Sequence, residues 1–309
     1  MKYVGVDIGG TNLKAGLVDE SGTLLATQKM KVASIVDREG LAWTVASLVQ
    51  ELAKAANIPV SDVASVGVGV PGTVDIRAGS IAYTCNLPLR DVPLRKLFHK
   101  YLNIPLYIEN DANCAALAET VAGGAMGCRN MILITLGTGV GGGIVADGQL
   151  LEGVGGTGAE VGHTVLVLDG EDCTCGRKGC WEAYASATAL IRQGKRAAAA
   201  QPESLLAGYG EGLTGKDVFD AAAAGDAAAQ AVVDRYCVYV AAGITDLVNI
   251  LGPEKVLIGG GISRQGERLL APIRAYVAAN CFGGHDRTPP VIECARLGNE
   301  AGIIGAAAL

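Results

Sequence analysis

The sequence predicts an α/β protein built from a duplicated half. Short apolar, β-branched runs alternate with longer stretches of helical periodicity, the pattern of strands and helices interleaved in layers. A succession of strand, glycine turn, strand and polar turn occurs twice, with Gly9 and Gly137 opening equivalent turns, as an internal repeat requires. Each half also carries a later strand that runs into a second glycine turn.

In the first half a strand over residues 3–7 meets a Gly-Gly-Thr turn, followed by a strand over 13–18, a turn at Asp19-Glu-Ser-Gly22 and a strand over 24–28. In the second half a strand over 131–136 meets a Gly-Thr-Gly turn, then a strand over 142–145 and a turn at Asp147-Gly148. The later strands are Val66-Gly-Val-Gly-Val-Pro-Gly72 and Val256-Leu-Ile-Gly-Gly-Gly261. Apolar residues recurring three or four apart predict helices over 39–56, 94–102, 112–122, 182–199, 227–250 and 266–279. Thr214-Gly-Lys-Asp217 reads as a capping box opening another short helix. The alanine tract 221–229 reads as part of a closely packed helix pair, because Val232, Val233 and Tyr236 follow it.

Composition bounds the function. With 309 residues, 50% hydrophobic and 18% charged, the chain can build two sizeable cores and is not disordered. A net charge of −6 offers no attraction to nucleic acid or to a membrane surface, and neither is expected as a partner. Asp7 interrupts the N-terminal strand before a signal peptide could develop, and no apolar run approaches the ~18 residues of a spanning helix. A cytoplasmic location is expected. Glycine is 44 of 309, about twice the usual share of roughly 7%, and it clusters in loops where backbone must approach a ligand.

His163, Cys173, Cys175 and Cys180 form a Cys3His set of the kind that closes a tetrahedral zinc site. With four ligands no position remains for water, so the expected role is structural. One reading has the metal only staple a loop. The other notes that Glu160 and Glu182 bracket the ligands and would be clamped beside His163, whose second ring nitrogen stays available to a substrate. The remaining cysteines fall mostly in apolar patterns and read as reduced, buried thiols.

The paired glycine turns suit a polyphosphate held from both sides, since successive backbone N–H groups in such turns make anion-binding concavities. Asp7 ends its strand where a carboxylate could hold Mg²⁺ through water, and Thr11 and Thr138 add hydroxyl donors. Gly137-Thr-Gly-Val-Gly-Gly142 also matches the dinucleotide fingerprint, but that motif must open a helix and here a strand follows. Asp111 follows a strand and opens a helix. Local sequence favours an N-cap for it, the commonest fate of Asp there, while a base would leave capping largely to Asn110 or water.

Taken in order, these segments resemble the ROK family of sugar kinases and sugar-responsive repressors. Asp7-Ile-Gly-Gly-Thr11 resembles its first phosphate loop and Gly69-Val-Pro-Gly72 its sugar-side turn. Glu109-Asn-Asp-Ala-Asn113 resembles its catalytic segment, Leu136-Gly-Thr-Gly-Val-Gly-Gly142 through His163 its signature, Cys173 to Glu182 its zinc segment, and Gly259-Gly-Gly-Ile262 its adenosine-side loop. The resemblance spans essentially the whole chain. It implies an α/β actin/hexokinase-like ATPase fold with a cleft between two domains: residues 1–118 with 297–309, and 119–296 with the zinc-binding segment at 163–180. It implies that the C-terminal helix near 299–308 folds back onto the first domain.

Asp111 becomes the general base for the sugar's primary hydroxyl, which reverses the local preference for a cap. Gly72, Asn86, Asn110, Glu160, His163 and Glu182 become sugar contacts. Asp7, Gly9, Gly10, Thr11, Gly137, Thr138, Gly139, Gly260 and Gly261 surround ATP with Mg²⁺, and Zn²⁺ is structural. Where the family reads Ala-Gly-Glu before Gly-His, this chain reads Gly158-Ala-Glu160, and Asn86-Leu-Pro-Leu89 lacks the Trp that follows in many members. The segment from Cys180 to Thr188 is close to the glucokinase branch. The expected activity is therefore ATP-dependent phosphorylation of the 6-hydroxyl of glucose in glycolysis, by a homodimer or dimer-based assembly. N-acetylglucosamine, N-acetylmannosamine or another hexose is the alternative substrate, and a non-catalytic sugar sensor or repressor a further alternative. A repressor would carry an N-terminal helix-turn-helix, whereas here Met1 lies two residues from the first strand.

Overall fold

The computed structural model describes residues 1–9, 12–32, 37–84, 89–286 and 288–309. It divides into two compact units. The first comprises Met1–Arg129, Gly143–Ala159 and Arg296–Leu309; the second comprises Asn130–Gly142 and Glu160–Ala295.

The first unit opens with β1 (Lys2–Ile8), β2 (Asn12–Asp19), β3 (Leu24–Lys31), α1 (Arg38–Ala55) and β4 (Val63–Val70). Strands β5 (Gly72–Asp75), β6 (Ser80–Thr84) and β7 (Arg90–Val92) then make a small antiparallel sheet. Helix α2 (Leu94–Phe98), β8 (Leu106–Asn110) and α3 (Asp111–Val121) follow. The main sheet has the order β3-β2-β1-β4-β8, with β1, β4 and β8 parallel.

The period of two along β1 assigns its faces. Val4, Val6 and Ile8 are buried in the core that also holds Leu41, Val45, Leu48 and Leu52 of α1. Each such side chain contributes roughly 1.5–3 kcal/mol on burial. The alternate face carries Tyr3, Gly5 and Asp7.

The second unit begins with β9 (Met131–Leu136) and β10 (Val140–Ala146), and β10 continues along the chain into the first unit, where it forms a hairpin with β11 (Gln149–Leu150). Then come α4 (Glu182–Ala185), α5 (Ala187–Ala200), α6 (Gly215–Ala223), α7 (Ala227–Leu251), β12 (Lys255–Gly259), α8 (Glu267–Asn280) and β13 (Val291–Cys294). The order β11-β10-β9-β12-β13 repeats that of the first sheet, with β9 in the place of β1 and β12 in the place of β4. The duplicated half is thus a topological fact.

Helix α9 (Ala301–Ala307) returns to the first unit and lies against β1 and β4. It does so because a Cβ on Gly5 would overlap the Ile303 carbonyl and one on Gly67 would overlap that of Ala306. Only glycine lets a helix backbone approach a strand this closely.

Three readings of the sequence need revision. The helix expected over 94–102 ends at Phe98, and residues 99–102 close as turns. The helix expected over 182–199 is two helices, because Ser186 is extended and its hydroxyl caps α5 through the Ala189 N–H at 3.1 Å. The sheet β5–β7 and strand β13 were not anticipated, their strands being only three to five residues long. The capping box is present: Thr214 and Asp217 bond reciprocally at the start of α6. Among the described residues no helix is long and apolar enough to cross a membrane.

Candidate active site

The first unit gathers one set of expected residues at the C-terminal ends of β1, β4 and β8. Asp7 pairs with Gly69 of β4 across the parallel ladder and with Lys14 of β2. Burial pushes its carboxyl above the ordinary 3.8, and Lys14 opposes that shift. The carboxylate abuts Gly302 near the start of α9, where any side chain would collide with it. Gly9 begins the turn, its N–H donating to the Asn12 carbonyl at 3.0 Å. Gly10, Thr11 and Asn86 lie outside the described residues.

At the junction of β8 and α3 the structure shows which residue caps the helix. Asn110 is the N-cap: its Oδ1 accepts the Ala112 N–H at 2.8 Å and the Asn113 N–H at 3.3 Å. Its Nδ2 donates to the Gly72 carbonyl at 3.2 Å, joining the start of α3 to the start of β5. Asp111 is the first helical residue, and its Oδ1 shares the Ala112 N–H at 2.9 Å. Helix α3 therefore has its cap without Asp111, and the helix N-terminus favours an ionised carboxylate there.

Glu109, absent from the expected contacts, sits directly beneath. It is 1% exposed, and its Oε1 accepts the Asn110 N–H at 2.7 Å and the Asn113 amide at 3.0 Å. Burial raises its pKa, the two hydrogen bonds opposing. Its signal was in the motif: a carboxylate one residue before a helix cap, with Asn four residues on.

The second unit gathers the rest. The ligand atoms of His163, Cys173, Cys175 and Cys180 all lie within 4.8 Å of one another. His163 Nδ1 is 3.6 Å from Cys173 Sγ, and Cys175 Sγ is 3.6 Å from Cys180 Sγ. A tetrahedral zinc with its usual bond lengths separates ligands by about 3.5–3.8 Å, and these two pairs fit that ion. His163 turns Nδ1 to the cysteines, which leaves Nε2 on the opposite side of the ring. Glu160 precedes the short 3₁₀ turn Val161–His163 and is exposed. The inverted pair before it has a visible consequence: Ala159 holds a left-handed φ of 60°. That conformation costs an L-residue roughly 1–2 kcal/mol, and the family's order would place glycine there.

The turn Gly137-Thr-Gly139 is pinned from one side. The Ala187 N–H donates to the Gly137 carbonyl and the Thr188 hydroxyl to the Thr138 carbonyl, each at 2.8 Å. Since a trans peptide points its N–H opposite its C=O, the Thr138 and Gly139 N–H groups face away from α5, as an anion cradle needs. Gly260 and Gly261 follow β12, and Gly260 fits against the Leu136 backbone, which sets the two loops side by side. Glu182 begins α4 with its Oε2 accepting the Val140 N–H at 3.0 Å. Sequence reasoning missed that bond.

A family model described as the ROK family matches residues 3–309. This chain belongs to the ROK family. A glucokinase of Halalkalibacterium halodurans is 39% identical, over 98% of this chain and 93% of that protein. The crystal structure of a ROK family glucokinase from Streptomyces griseus, in complex with glucose and AMPPNP, is 38% identical with a TM-score of 0.80, covering 100% of this chain and 98% of that one. The ROK hexokinase of Thermus thermophilus is 34% identical with a TM-score of 0.83, covering 99% and 97%. The fold of this ROK chain is thus the actin/hexokinase-like ATPase fold.

Proposed function

We propose that this chain transfers the γ-phosphoryl group of ATP to the 6-hydroxyl of glucose, with Asp111 as the general base. The chain is a sugar kinase, and relatives at 37–39% identity over nearly its whole length are glucokinases. The observation that carries the role of Asp111 is the cap supplied by Asn110. In the transfer the hydroxyl oxygen bonds to phosphorus, the bond from phosphorus to the ADP oxygen breaks, and the hydroxyl proton passes to the Asp111 carboxylate. Asn110, Gly72, Asn86, Glu160, His163 and Glu182 are assigned to orienting the sugar. The backbone of Gly9, Gly10, Thr11, Gly137, Thr138, Gly139, Gly260 and Gly261 is assigned to the nucleotide. Mg²⁺ enters with ATP to neutralise the phosphates, and Asp7 would hold it.

Zn²⁺ suits the Cys3His set, with a structural role. The same reading includes a cytoplasmic homodimer in glycolysis. The domain division implied by the family, residues 1–118 with 297–309 against 119–296, belongs to this proposal also.

Asp111→Asn tests the reading. Turnover should fall by about 10²–10⁴, the usual contribution of a general base, while the glucose Kd stays within about threefold. Near-normal turnover would remove Asp111 from the role.

A further inference from the structure

We propose that Glu182 is a positioning residue that transmits the order of the Cys/His segment to the second glycine turn. Nucleotide affinity then depends on that segment. The inference rests on the kinase reading above and extends it from the sugar to ATP.

The two oxygens of Glu182 are held by different partners. Oε2 accepts the Val140 N–H at 3.0 Å, at the first residue of β10. Oε1 accepts the Thr174 hydroxyl at 3.1 Å and lies 3.6 Å from Cys173 Sγ. Thr174 sits between two ligands of the set, and Glu182 follows the ligand Cys180 by two residues. The carboxylate is therefore a strut between the metal-binding segment and the chain leaving the turn.

Gly139 makes the approach possible, since a Cβ there would overlap Glu182 Oε2. The other supports of the turn come from the same stretch of chain. Ala187 and Thr188, which bond the Gly137 and Thr138 carbonyls, begin α5 directly after α4 and Ser186. Each support of the turn is thus continuous with the Cys/His segment. The two donors on Glu182 fix the orientation of its carboxylate.

The test is the Kd of a fluorescent, non-hydrolysable ATP analogue with Mg²⁺ and no sugar. It is measured for the wild type before and after metal chelation, and for Thr174→Val, Glu182→Ala and Glu182→Gln. Zinc content and melting temperature are read on each sample. Thr174→Val at full metal content should weaken the analogue about three- to tenfold, as one lost hydrogen bond does. Glu182→Ala and chelation should each weaken it at least that much. Glu182→Gln should stay within about threefold of wild type, because its amide oxygen still accepts the Val140 N–H.

Unchanged analogue affinity in Glu182→Ala at wild-type melting temperature overturns the proposal. So does a Glu182→Gln as weak as Glu182→Ala. If Thr174→Val or the chelated protein unfolds, the Glu182 pair decides, as neither variant removes a metal ligand. A wild type that binds the analogue but never releases sugar-dependent ADP overturns the kinase reading and leaves the strut standing.

Discussion

The two glycine turns occupy equivalent places in a repeated sheet, yet each finds its carboxylate differently. In the first, Asp7 belongs to the strand itself: it is the residue before the last of β1, pairs with Gly69 and is closed in at Gly302 of the returning helix. In the second, Thr135 of β9 takes the matching position, pairing with Gly259 as Asp7 pairs with Gly69. The carboxylate at that turn is brought in by Glu182, and its bond to Val140 spans 42 residues. Duplication supplied two copies of one strand order. The first copy carries a half-buried carboxylate within its own strand, and the second is bonded to the segment that holds the Cys3His set.

That contrast can be broken by substitution. Asp7→Asn should lower kcat for ADP release by about 10²–10³, the scale of losing one preorganised electrostatic partner. Thr135→Val, at the matching site, should change kcat by less than about twofold. Equal losses would mean that the turns share one role.

Cys180→Ser should come next. It should release the bound metal and cost more than about 2 kcal/mol, lowering the melting temperature by several degrees. A variant that keeps the wild-type melting point would reduce the Cys3His set to a decoration of the loop.

The pH dependence of stability sharpens the first half of the comparison. Burial raises the Asp7 pKa above 3.8, so the folded chain holds that proton more tightly than the unfolded chain. Stability present below 3.8 is therefore lost as pH rises through the raised value. Asp7→Asn removes that loss, and the ligand-free variant should melt higher than wild type at neutral pH despite its lower kcat. Identical melting curves would show that burial does not strain the charge.

The smallest effect concerns Ala159. Replacing it by glycine relieves the left-handed φ of 60° against glycine's extra unfolded-state freedom, for a net gain of about 0.5–1 kcal/mol. Chemical denaturation would read it, and a loss of stability would contradict the strain.

Much of this was legible in the sequence. Strands that end in glycine turns, the order of motifs and the Cys3His spacing all depend on residues near one another in the chain. The competition at Asp111 was visible too, and naming Asn110 as the alternative cap anticipated the bonds found. What was hidden depends on long-range contacts or on short elements. The strut from Glu182 to Val140 leaves no periodicity. The break at Ser186 is a local hydrogen bond that competes with a good helical pattern. The sheet β5–β7 has strands too short for alternation to stand out. The strain at Ala159 appeared only as an inverted pair, and its backbone angle gave it physical meaning.

The most direct test of the account is sugar-dependent ADP release by the metal-replete wild type, with ATP, Mg²⁺ and a panel of glucose, mannose, N-acetylglucosamine and N-acetylmannosamine. The account predicts ADP release that depends on sugar and is fastest per mole with glucose. Release with no sugar dependence, or kcat/KM higher for an N-acetylated hexosamine than for glucose, would contradict it.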